Sequence, residues 1–326
     1  MKKFITIDAA DDGQRLDRWL QNKFPSVPYA LIQKALRTGD IRIDGKKADG
    51  AARLNSGAEL RLPPALRYGD QPGTVRKLSA AEETQIRQMV LYEDDHIIAL
   101  NKPSGLGTQG GTKTHQHIDR LLQAFAAGED DKPKLVHRLD KDTSGVLLVA
   151  KNRTMAERLG NMFKHREISK TYVALTLDVP RTREDTVKLP LLRTSDRVIV
   201  DREEGKPAVT HYKTLSFSGR TVGFVALRPE TGRMHQLRVH LSHIKSPILG
   251  DAKYGGLVDT GPVAEAAAER LWLHALALHF DHPVTGRSMS IFAPLPQRMR
   301  YWLDEWNMGM PDISDTNRPI DPMEGI

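Results

Sequence analysis

The N-terminal part of the chain carries two helical patterns of apolar side chains, followed by two extended ones. Residues 15–20 and 28–37 each place apolar side chains one helical turn apart, which predicts two short helices with one buried face each. Apolar and polar residues alternate over 41–43 and again over 59–62, and the Asp-Gly pair at residues 44–45 is typical of a hairpin turn. The pattern predicts two helices followed by a hairpin.

The rest of the chain shows strand patterns separated by polar turns. Residues 97–100 and 146–150 are short apolar runs, as expected for strands buried on both faces. Residues 170–175 place a tyrosine within an otherwise apolar strand. Residues 228–241 begin at a turn and continue into a helix, whose predicted entry is the Thr-Gly pair at residues 231–232. These elements predict a second, larger domain.

Proline and glycine divide the chain into segments. Their pairs around residues 63–73 are typical of chain that packs poorly, and the C-terminal stretch combines prolines and acids without an apolar period. We therefore assign residues 13–68 to a small module, 69–85 to a linker, 86–305 to a second domain and 306–326 to a poorly ordered tail.

Composition narrows the classes of function. The chain of 326 residues has a net charge of +7 and no cysteine, which excludes disulfides, thiolate zinc sites, iron–sulfur clusters and cysteine nucleophiles and fits a cytoplasmic location. No apolar run approaches the roughly 18 residues of a membrane span, and the first residues lack the apolar core of a secretory signal, so we expect no membrane partner. The positive charge points to an anionic partner such as nucleic acid.

Positive charge is concentrated in the N-terminal module. Residues 13–68 hold eleven basic side chains and five acidic ones. Cations recur at helical spacing on both predicted helices, which favours a phosphate-binding surface over the alternative of a solvated charged face. The candidate RNA contacts are Arg15, Arg18, Lys34, Arg37 and Arg42.

The same module resembles the small RNA-binding domain of the ribosomal protein S-four type. The resemblance lies in Arg-Leu-Asp at residues 15–17, Leu-Arg-Thr-Gly at 36–39 and Ile-Arg-Ile-Asp-Gly-Lys at 41–46. In that family the helix pair and the following loop grip structured RNA, and the resemblance implies the same role here.

A glycine-rich segment at residues 105–110 matches the G-x-G-x-x-G pattern of dinucleotide-binding proteins. Such a site needs its first glycine directly after a strand and a helix that opens at the third. Here Asn-Lys-Pro-Ser intervenes after the strand, and Pro103 keeps Lys102 extended. A nicotinamide-dependent enzyme is therefore retained only as an alternative, which predicts binding of NAD(H).

One polar segment between apolar runs carries a candidate carboxylate. Residues 137–145 read His-Arg-Leu-Asp-Lys-Asp-Thr-Ser-Gly and lead directly into the apolar run at 146–150. A turn at the end of a buried strand is a frequent position for active-site groups, because a rigid sheet holds it. The alternative, for an isolated segment, is an ordinary polar turn.

Motifs over about residues 13–300 resemble, in chain order, those of pseudouridine synthases of the ribosomal large-subunit class. They are Asn101-Lys102-Pro103-Ser104-Gly105, His137-Arg138-Leu139-Asp140 with Thr143-Ser144-Gly145, Lys170-x-Tyr172, Thr231-Gly232-Arg233-x-His235-Gln236-x-Arg238, Pro247-Ile248-x-Gly250-Asp251 with Tyr254-Gly255, Leu273-His274-Ala275 and His282-Pro283. One departure is the segment 107–111, Gly-Thr-Gln-Gly-Gly, which replaces the family's apolar-His-Pro and concerns substrate choice rather than chemistry.

The resemblance implies isomerisation of uridine to pseudouridine in large-subunit ribosomal RNA or its precursor. The N1–C1′ bond breaks, the base turns and it rejoins the sugar through C5. Nothing is oxidised and no group comes from outside, so we expect no cofactor and no metal. We expect hydrogen-bonding roles for His235, His240 and His243, because their spacings do not align all three on one helical face.

The resemblance also implies roles for individual residues. Asp140 is the nucleophile or base, Arg238 is the cation that keeps it charged, and Tyr172 offers a ring to stack on uracil and a hydroxyl for the C5 proton. Arg138 fills the gap left by the flipped nucleotide. The other predicted substrate-binding residues are His137, Arg233, His235, Lys170 and Lys102.

The implied fold is a mixed α+β catalytic domain with a mainly antiparallel sheet and a central cleft, joined by the linker to the small α/β module. A monomer is the favoured oligomeric state. The alternative function, from another class, is a non-catalytic RNA-binding factor of ribosome assembly that kept the fold.

Overall fold

A computed structural model describes residues 3–24, 27, 29–64, 78–110, 116–126, 128, 131–261, 263–309 and 323. Contacts divide the chain into two compact units. The N-terminal unit comprises residues 1–79 with 111–113, and the C-terminal unit comprises residues 80–110 with 114–326.

Among its described residues, the N-terminal unit contains two α-helices, a short 3-10 helix (Ala9–Asp11) and a four-stranded antiparallel sheet. Its elements are β1 (Lys3–Thr6), α1 (Leu16–Lys23), α2 (Tyr29–Thr38), β2 (Arg42–Ile43), β3 (Lys46–Lys47) and β4 (Glu59–Leu62), with strand order β1-β4-β2-β3. Leu16 and Ile32, from the two helices, are fully buried in one apolar core. Asp44 and Gly45 have the positive φ values, 48° and 77°, of a two-residue hairpin turn. The predicted helices and hairpin are confirmed.

The C-terminal unit is built from six helices and twelve strands among its described residues. The helices are α3 (Ala80–Gln88), α4 (Ile118–Leu121), α5 (Arg153–His165), α6 (Gln236–His243), α7 (Ala264–Glu269) and α8 (Gln297–Glu305). The strands are β5 (Val90–Glu93), β6 (Ile97–Lys102), β7 (Lys134–Leu135), β8 (Ser144–Ala150), β9 (Ser169–Leu177), β10 (Glu184–Lys188), β11 (Leu191–Arg193), β12 (Val198–Val200), β13 (Val209–Ser218), β14 (Val222–Pro229), β15 (Leu273–Asp281) and β16 (Ser288–Phe292).

Ten of these strands form one sheet, which confirms the predicted fold class. Its order is β10-β13-β14-β9-β15-β8-β6-β5, with β16 added to β15 and β7 to β8. Within the described residues β8 and β15 are the parallel pair and the other neighbours are antiparallel. All seven residues of β8 are buried, as its apolar sequence predicts. Over the described ranges, no helix has the length and apolar character needed to cross a bilayer.

The predicted linker overlaps a helix. α3 begins at Ala80, inside the range 69–85, while residues 65–77 lie outside the described part of the chain. Two alanines followed by Glu82 and Glu83 favour a helix start, because they combine helix propensity with negative charge in the first turn. Contacts divide the units between residues 79 and 80, and the domain boundaries stay predictions.

The predicted tail contains two residues of the core. Met308 and Met323 are buried in the same apolar cluster as Trp302 of α8, so the expectation of poor order does not hold for them. Single methionines fill gaps in a core without any apolar period that the sequence could reveal. The rest of the tail beyond residue 309 lies outside the described residues.

β8 and β15 approach each other too closely at Gly145 for any side chain. Gly145 has a φ of 111°, and a Cβ atom built on it would lie 2.1 Å from the carbonyl oxygen of Ala275. Only glycine adopts this backbone conformation without strain. The contact therefore fixes the point at which the turn before β8 enters the sheet.

We expect Gly145→Ala to lower the free energy of unfolding by about 3 kcal/mol, because strain and overpacking add. Gly160, inside α5, is the matched control, since no neighbouring heavy atom lies within 4 Å of its Cβ position. Gly160→Ala should raise the free energy of unfolding by roughly 0.5–1 kcal/mol. Urea unfolding measures both, and equal stability of the two variants would contradict the close approach.

Candidate active site

A cavity of about 440 Å³ in the C-terminal unit is lined by seven of the nine side chains that were predicted for catalysis and substrate binding. The predicted catalytic residues that line it are Asp140, Tyr172 and Arg238. The predicted substrate-binding residues that line it are Arg138, Lys170, Arg233 and His235. The lining does not include His137 or Lys102.

Lys102 holds the turn that carries Asp140, rather than lining the cavity. Its ammonium group is buried and donates to three carbonyl oxygens, those of Pro103, Leu106 and Lys141, at 3.0, 2.8 and 3.0 Å. Burial lowers the pKa of Lys102 to about 8, against the raising effect of Asp142 and Asp140. The bond to Lys141 ties the residue after Asp140 to the end of β6.

Thr108 holds the same turn on the other side of Asp140. Its hydroxyl donates to the carbonyl oxygen of Leu139 at 2.6 Å and accepts from the Leu139 N–H at 3.2 Å. Thr108 belongs to the segment that departs from the family pattern, and no feature of that segment predicts this role. The glycine-rich segment is thus a support for Leu139, and the next described helix, α4, begins only at Ile118.

His137, like Lys102, binds backbone rather than lining the cavity. Its Nε2 accepts from the N–H of Leu148 in β8 at 2.8 Å, and its ring lies against Phe163 with 4.5 Å between centroids. Burial lowers the pKa of His137 to about 3, and the charge of Lys170 acts in the same direction. The ring is therefore neutral near pH 7, and it accepts a hydrogen bond from the backbone of β8.

Asp140 lines the cavity, and two side-chain nitrogens lie near it. Its side chain is 39% exposed, and its Oδ2 lies 3.7 Å from Nε2 of His235 and 4.0 Å from Nη1 of Arg238. The predicted pairing of Arg238 with Asp140 is present at this distance. The closest carboxylate to Arg238, however, is another one.

Asp251 forms a bidentate ion pair with Arg238. Nε and Nη2 of Arg238 donate to the two oxygens of Asp251 at 2.7 and 2.8 Å, and the Asp251 side chain has no exposed surface. Burial acts to lower the pKa of Arg238, but the hydrogen bonds and charge of Asp251 raise it above the usual value. The forked pair leaves Nη1 as the nitrogen nearest to Asp140.

Tyr172 projects from β9 into the same cavity. Along β9 its neighbours Thr171 and Val173 are fully buried, while the Tyr172 ring packs against the cluster of Leu227, Leu237 and Leu273. Burial, with a smaller effect of the Asp140 charge, raises the pKa of the Tyr172 phenol well above its ordinary value. The group is therefore a neutral ring with a hydroxyl.

The turn before α6 differs from the prediction. The helix begins at Gln236, not at the Thr-Gly pair at 231–232, and His235 has a left-handed backbone with a φ of 52°. The Gln236 amide organises this turn: its oxygen accepts from Thr231 and from the Arg233 N–H, and its nitrogen donates to the Val209 carbonyl oxygen. An amide that bonds to its own turn delays the helix, which helical spacing alone does not reveal.

Two of the predicted histidine roles are confirmed as hydrogen bonds. Nδ1 of His235 lies 2.8 Å from the hydroxyl of Tyr254. His240 is buried between the hydroxyl of Thr210 and the carbonyl oxygen of Leu189, at 2.9 and 3.1 Å.

The predicted RNA-binding cations belong to the N-terminal unit, away from Asp140 in the chain. Arg18, Lys34 and Arg37 are exposed. Arg15 instead forms a forked ion pair with Asp17, at 3.1 and 2.8 Å, and Arg42 donates to carbonyl oxygens of its own loop. The first three remain the most available for phosphates.

Comparisons with known proteins agree with the motifs. The family model described as RNA pseudouridylate synthase matches residues 96–243. Ribosomal large subunit pseudouridine synthase C of Salmonella typhi is 36% identical over 309 residues, which cover 93% of this chain and 96% of that protein. The protein of the same name from Escherichia coli K12 is 35% identical over 310 residues, with the same coverage. The chain belongs to the RNA pseudouridylate synthase family.

A solved structure of the family has the same fold. Human RNA pseudouridylate synthase domain containing 4 superposes with a TM-score of 0.61 at 28% identity, over 71% of this chain and 97% of that one. The family predicted from the motifs is confirmed. The membership also makes this chain an RNA pseudouridine synthase, an isomerase, rather than the nicotinamide-dependent enzyme kept as an alternative.

The low pKa of His137 predicts a dependence of stability on pH. Its pKa is about 3 in the folded chain, below the 6.5 of a free histidine, so the unfolded chain binds more protons between these values. Stability is therefore lost as the pH falls from about 6.5 towards 3. We expect His137→Gln to flatten the fall in urea midpoint between pH 7 and pH 5.

The control for this prediction is Phe163→Leu, which removes the ring contact but leaves the histidine. That variant should be less stable at every pH and keep the slope of the unaltered protein. A slope that is unchanged in His137→Gln would contradict the neutral buried histidine.

Proposed function

We propose that this chain converts specific uridines of large-subunit ribosomal RNA into pseudouridine, with Asp140 as the reacting carboxylate. The observation that carries the proposal is a partly exposed carboxylate, inside a nucleoside-sized cavity, with His235 and Arg238 on one of its oxygens. The substrate is supported by the relatives, which are named as ribosomal large-subunit enzymes.

The residues supply what the isomerisation demands. Attack of Asp140 at C1′, its attack on the base and its removal of the 2′ proton all begin with a carboxylate, and Arg238 lies 4.0 Å from one oxygen of that group. A nucleoside that fills the cavity leaves less room for water around the detached uracil. The chemistry therefore needs only groups of this chain and the RNA.

Tyr172 contributes as a neutral phenol. A neutral ring can stack on uracil, and its hydroxyl can donate a hydrogen bond. To take the C5 proton, the hydroxyl must first pass its own proton to another group, because the raised pKa keeps it protonated. We assign it stacking first and proton transfer only by such a relay.

The cations at the rim fit an RNA substrate. Arg138, Lys170 and Arg233 line the cavity around Asp140. Together with the exposed cations of the N-terminal unit they offer phosphate contacts, while Arg138 takes the gap left by the flipped nucleotide. We propose a cytoplasmic location, which the absence of cysteine and a ribosomal RNA substrate support.

Asp140→Asn is expected to abolish tritium release from RNA labelled at uridine C5, with a loss of at least about 10³-fold, since it removes the reacting group. Asp142→Asn is the matched control: it removes the same charge from an exposed neighbour and should retain most of the activity. Ribosomal RNA from cells that lack the protein is the substrate.

Two results would contradict the proposal. Equal release by the unaltered protein and Asp140→Asn would remove Asp140 from the chemistry. No release by the unaltered protein on this RNA would favour the non-catalytic assembly factor instead.

The N-terminal cations predict how RNA binding depends on salt. If about 6–10 phosphates are held, affinity should fall about 10³–10⁵-fold between 50 and 200 mM salt. Replacing Arg18, Lys34 and Arg37 together by glutamine should reduce the slope of log affinity against log salt by about three. Filter binding at several salt concentrations measures the slope.

The control replaces three exposed cations of the C-terminal unit, Lys188, Arg220 and Arg287, by glutamine. It changes the net charge equally, so a slope that falls as much as in the first triple variant would show a general charge effect and not local contacts.

A further inference from the structure

We propose that His235 is a positioning residue for Asp140, and that Tyr254 fixes the ring so that Nε2–H points at the carboxylate. His235 and Arg238 then hold one oxygen of Asp140 and leave the other oxygen to the nucleoside. The inference rests on the proposed role of Asp140 and gives the neighbouring histidine a task of its own.

The hydrogen bonds of the Tyr254 hydroxyl determine the tautomer of His235. The Tyr254 hydroxyl accepts from the N–H of Val198 at 3.0 Å and lies 2.8 Å from Nδ1 of His235. Tyr254 is 4% exposed, so its own proton needs an acceptor within the protein. Nδ1 of His235 accepts this proton, because the other partner of the hydroxyl, the backbone N–H of Val198, can only donate.

A ring that accepts at Nδ1 carries its proton on Nε2 when it is neutral. Burial lowers the pKa of His235, which favours this neutral form, although the charge of Asp140 acts against it. Nε2 is the nitrogen that faces Oδ2 of Asp140 at 3.7 Å. The chain Val198 N–H, Tyr254 hydroxyl, His235 ring therefore ends in a donor aimed at Asp140.

The two donors meet Asp140 on the same side. Nη1 of Arg238 lies 4.0 Å from the same Oδ2. Both distances exceed a hydrogen bond, and such contacts often shorten only when substrate fills the site. A carboxylate held through one oxygen presents its second oxygen in a fixed direction, which is what a reaction at a sugar or base carbon requires.

The backbone at His235 is costly, which argues that the side chain is needed there. His235 has a left-handed φ of 52° directly before α6, a conformation that costs backbone strain in any residue except glycine. The turn holds this conformation because Gln236 binds Thr231, Arg233 and β13.

Two substitutions separate side-chain positioning from a merely structural role. In His235→Gln the amide nitrogen can reach the position of Nε2, and in His235→Asn it reaches only that of Nδ1. Asparagine suits the left-handed backbone better than glutamine. Positioning therefore predicts that the glutamine variant is the more active, while a structural role predicts the reverse order.

The measurement is the single-turnover rate of tritium release, beside the Kd for RNA. We expect His235→Gln to be about 5-fold slower than the unaltered protein and His235→Asn about 10²-fold slower, as for other groups that orient a reacting residue, with Kd unchanged in both. An asparagine variant as fast as the glutamine variant, or losses confined to Kd, would overturn the proposal.

A second measurement does not depend on activity. ¹⁵N NMR of the histidine rings distinguishes a protonated ring nitrogen from an unprotonated one. We expect His235 to carry its proton on Nε2, and Tyr254→Phe to release it into a mixture of tautomers. A proton fixed on Nδ1 in the unaltered protein would overturn the proposal.

The two hypotheses fail in different ways. If the unaltered protein releases no tritium, the proposed function fails, whatever the NMR result. If it releases tritium and Asp140→Asn does not, while the two His235 variants are equal in rate, only the positioning role fails.

Discussion

Asp251 has no exposed surface, and its two oxygens accept from Arg238 and from the backbone N–H groups of Lys253 and Tyr254. The ion pair between this buried carboxylate and Arg238 is the interaction on which the site depends. Burying an ion pair brings little net stability, because both charges lose their hydration. What the pair supplies is geometry: the guanidinium cannot turn, so its third nitrogen stays beside Asp140. A single unpaired guanidinium at this depth would be strongly destabilising.

Buried polar side chains also hold the two turns that line the cavity. Lys102 and Thr108 bond to main-chain atoms on either side of Asp140, and Gln236 bonds to main-chain atoms of the turn that carries Arg233 and His235. Lys102, Thr108 and Gln236 are buried, and each of these hydrogen bonds has a main-chain atom as its second partner. These hydrogen bonds hold the backbone of each turn in place, and a fixed backbone limits where its side chains can lie in the cavity.

Local periodicity was enough to predict the helices and hairpin of the N-terminal unit, since their apolar spacing and their turn chemistry agree. The motifs predicted nine side chains for catalysis and substrate binding, and seven of them line the cavity. The roles of Lys102 and His137 could not be predicted, because whether a polar residue faces the cavity or the backbone beneath it depends on tertiary packing. Thr108 carried no signal at all, as it lies in a segment that departs from the family. Met308 and Met323 show the same limit for the core.

The parallel pairing of β8 with β15 joins Ser144 and Gly145 to His274 and Ala275, residues far apart along the chain. The turn with Asp140 enters the sheet at this joint. During synthesis, therefore, a ribosome must deliver most of the polypeptide before the joint can close. A nascent chain that stops short of β15 contains the whole N-terminal unit but lacks the strand against which Gly145 packs.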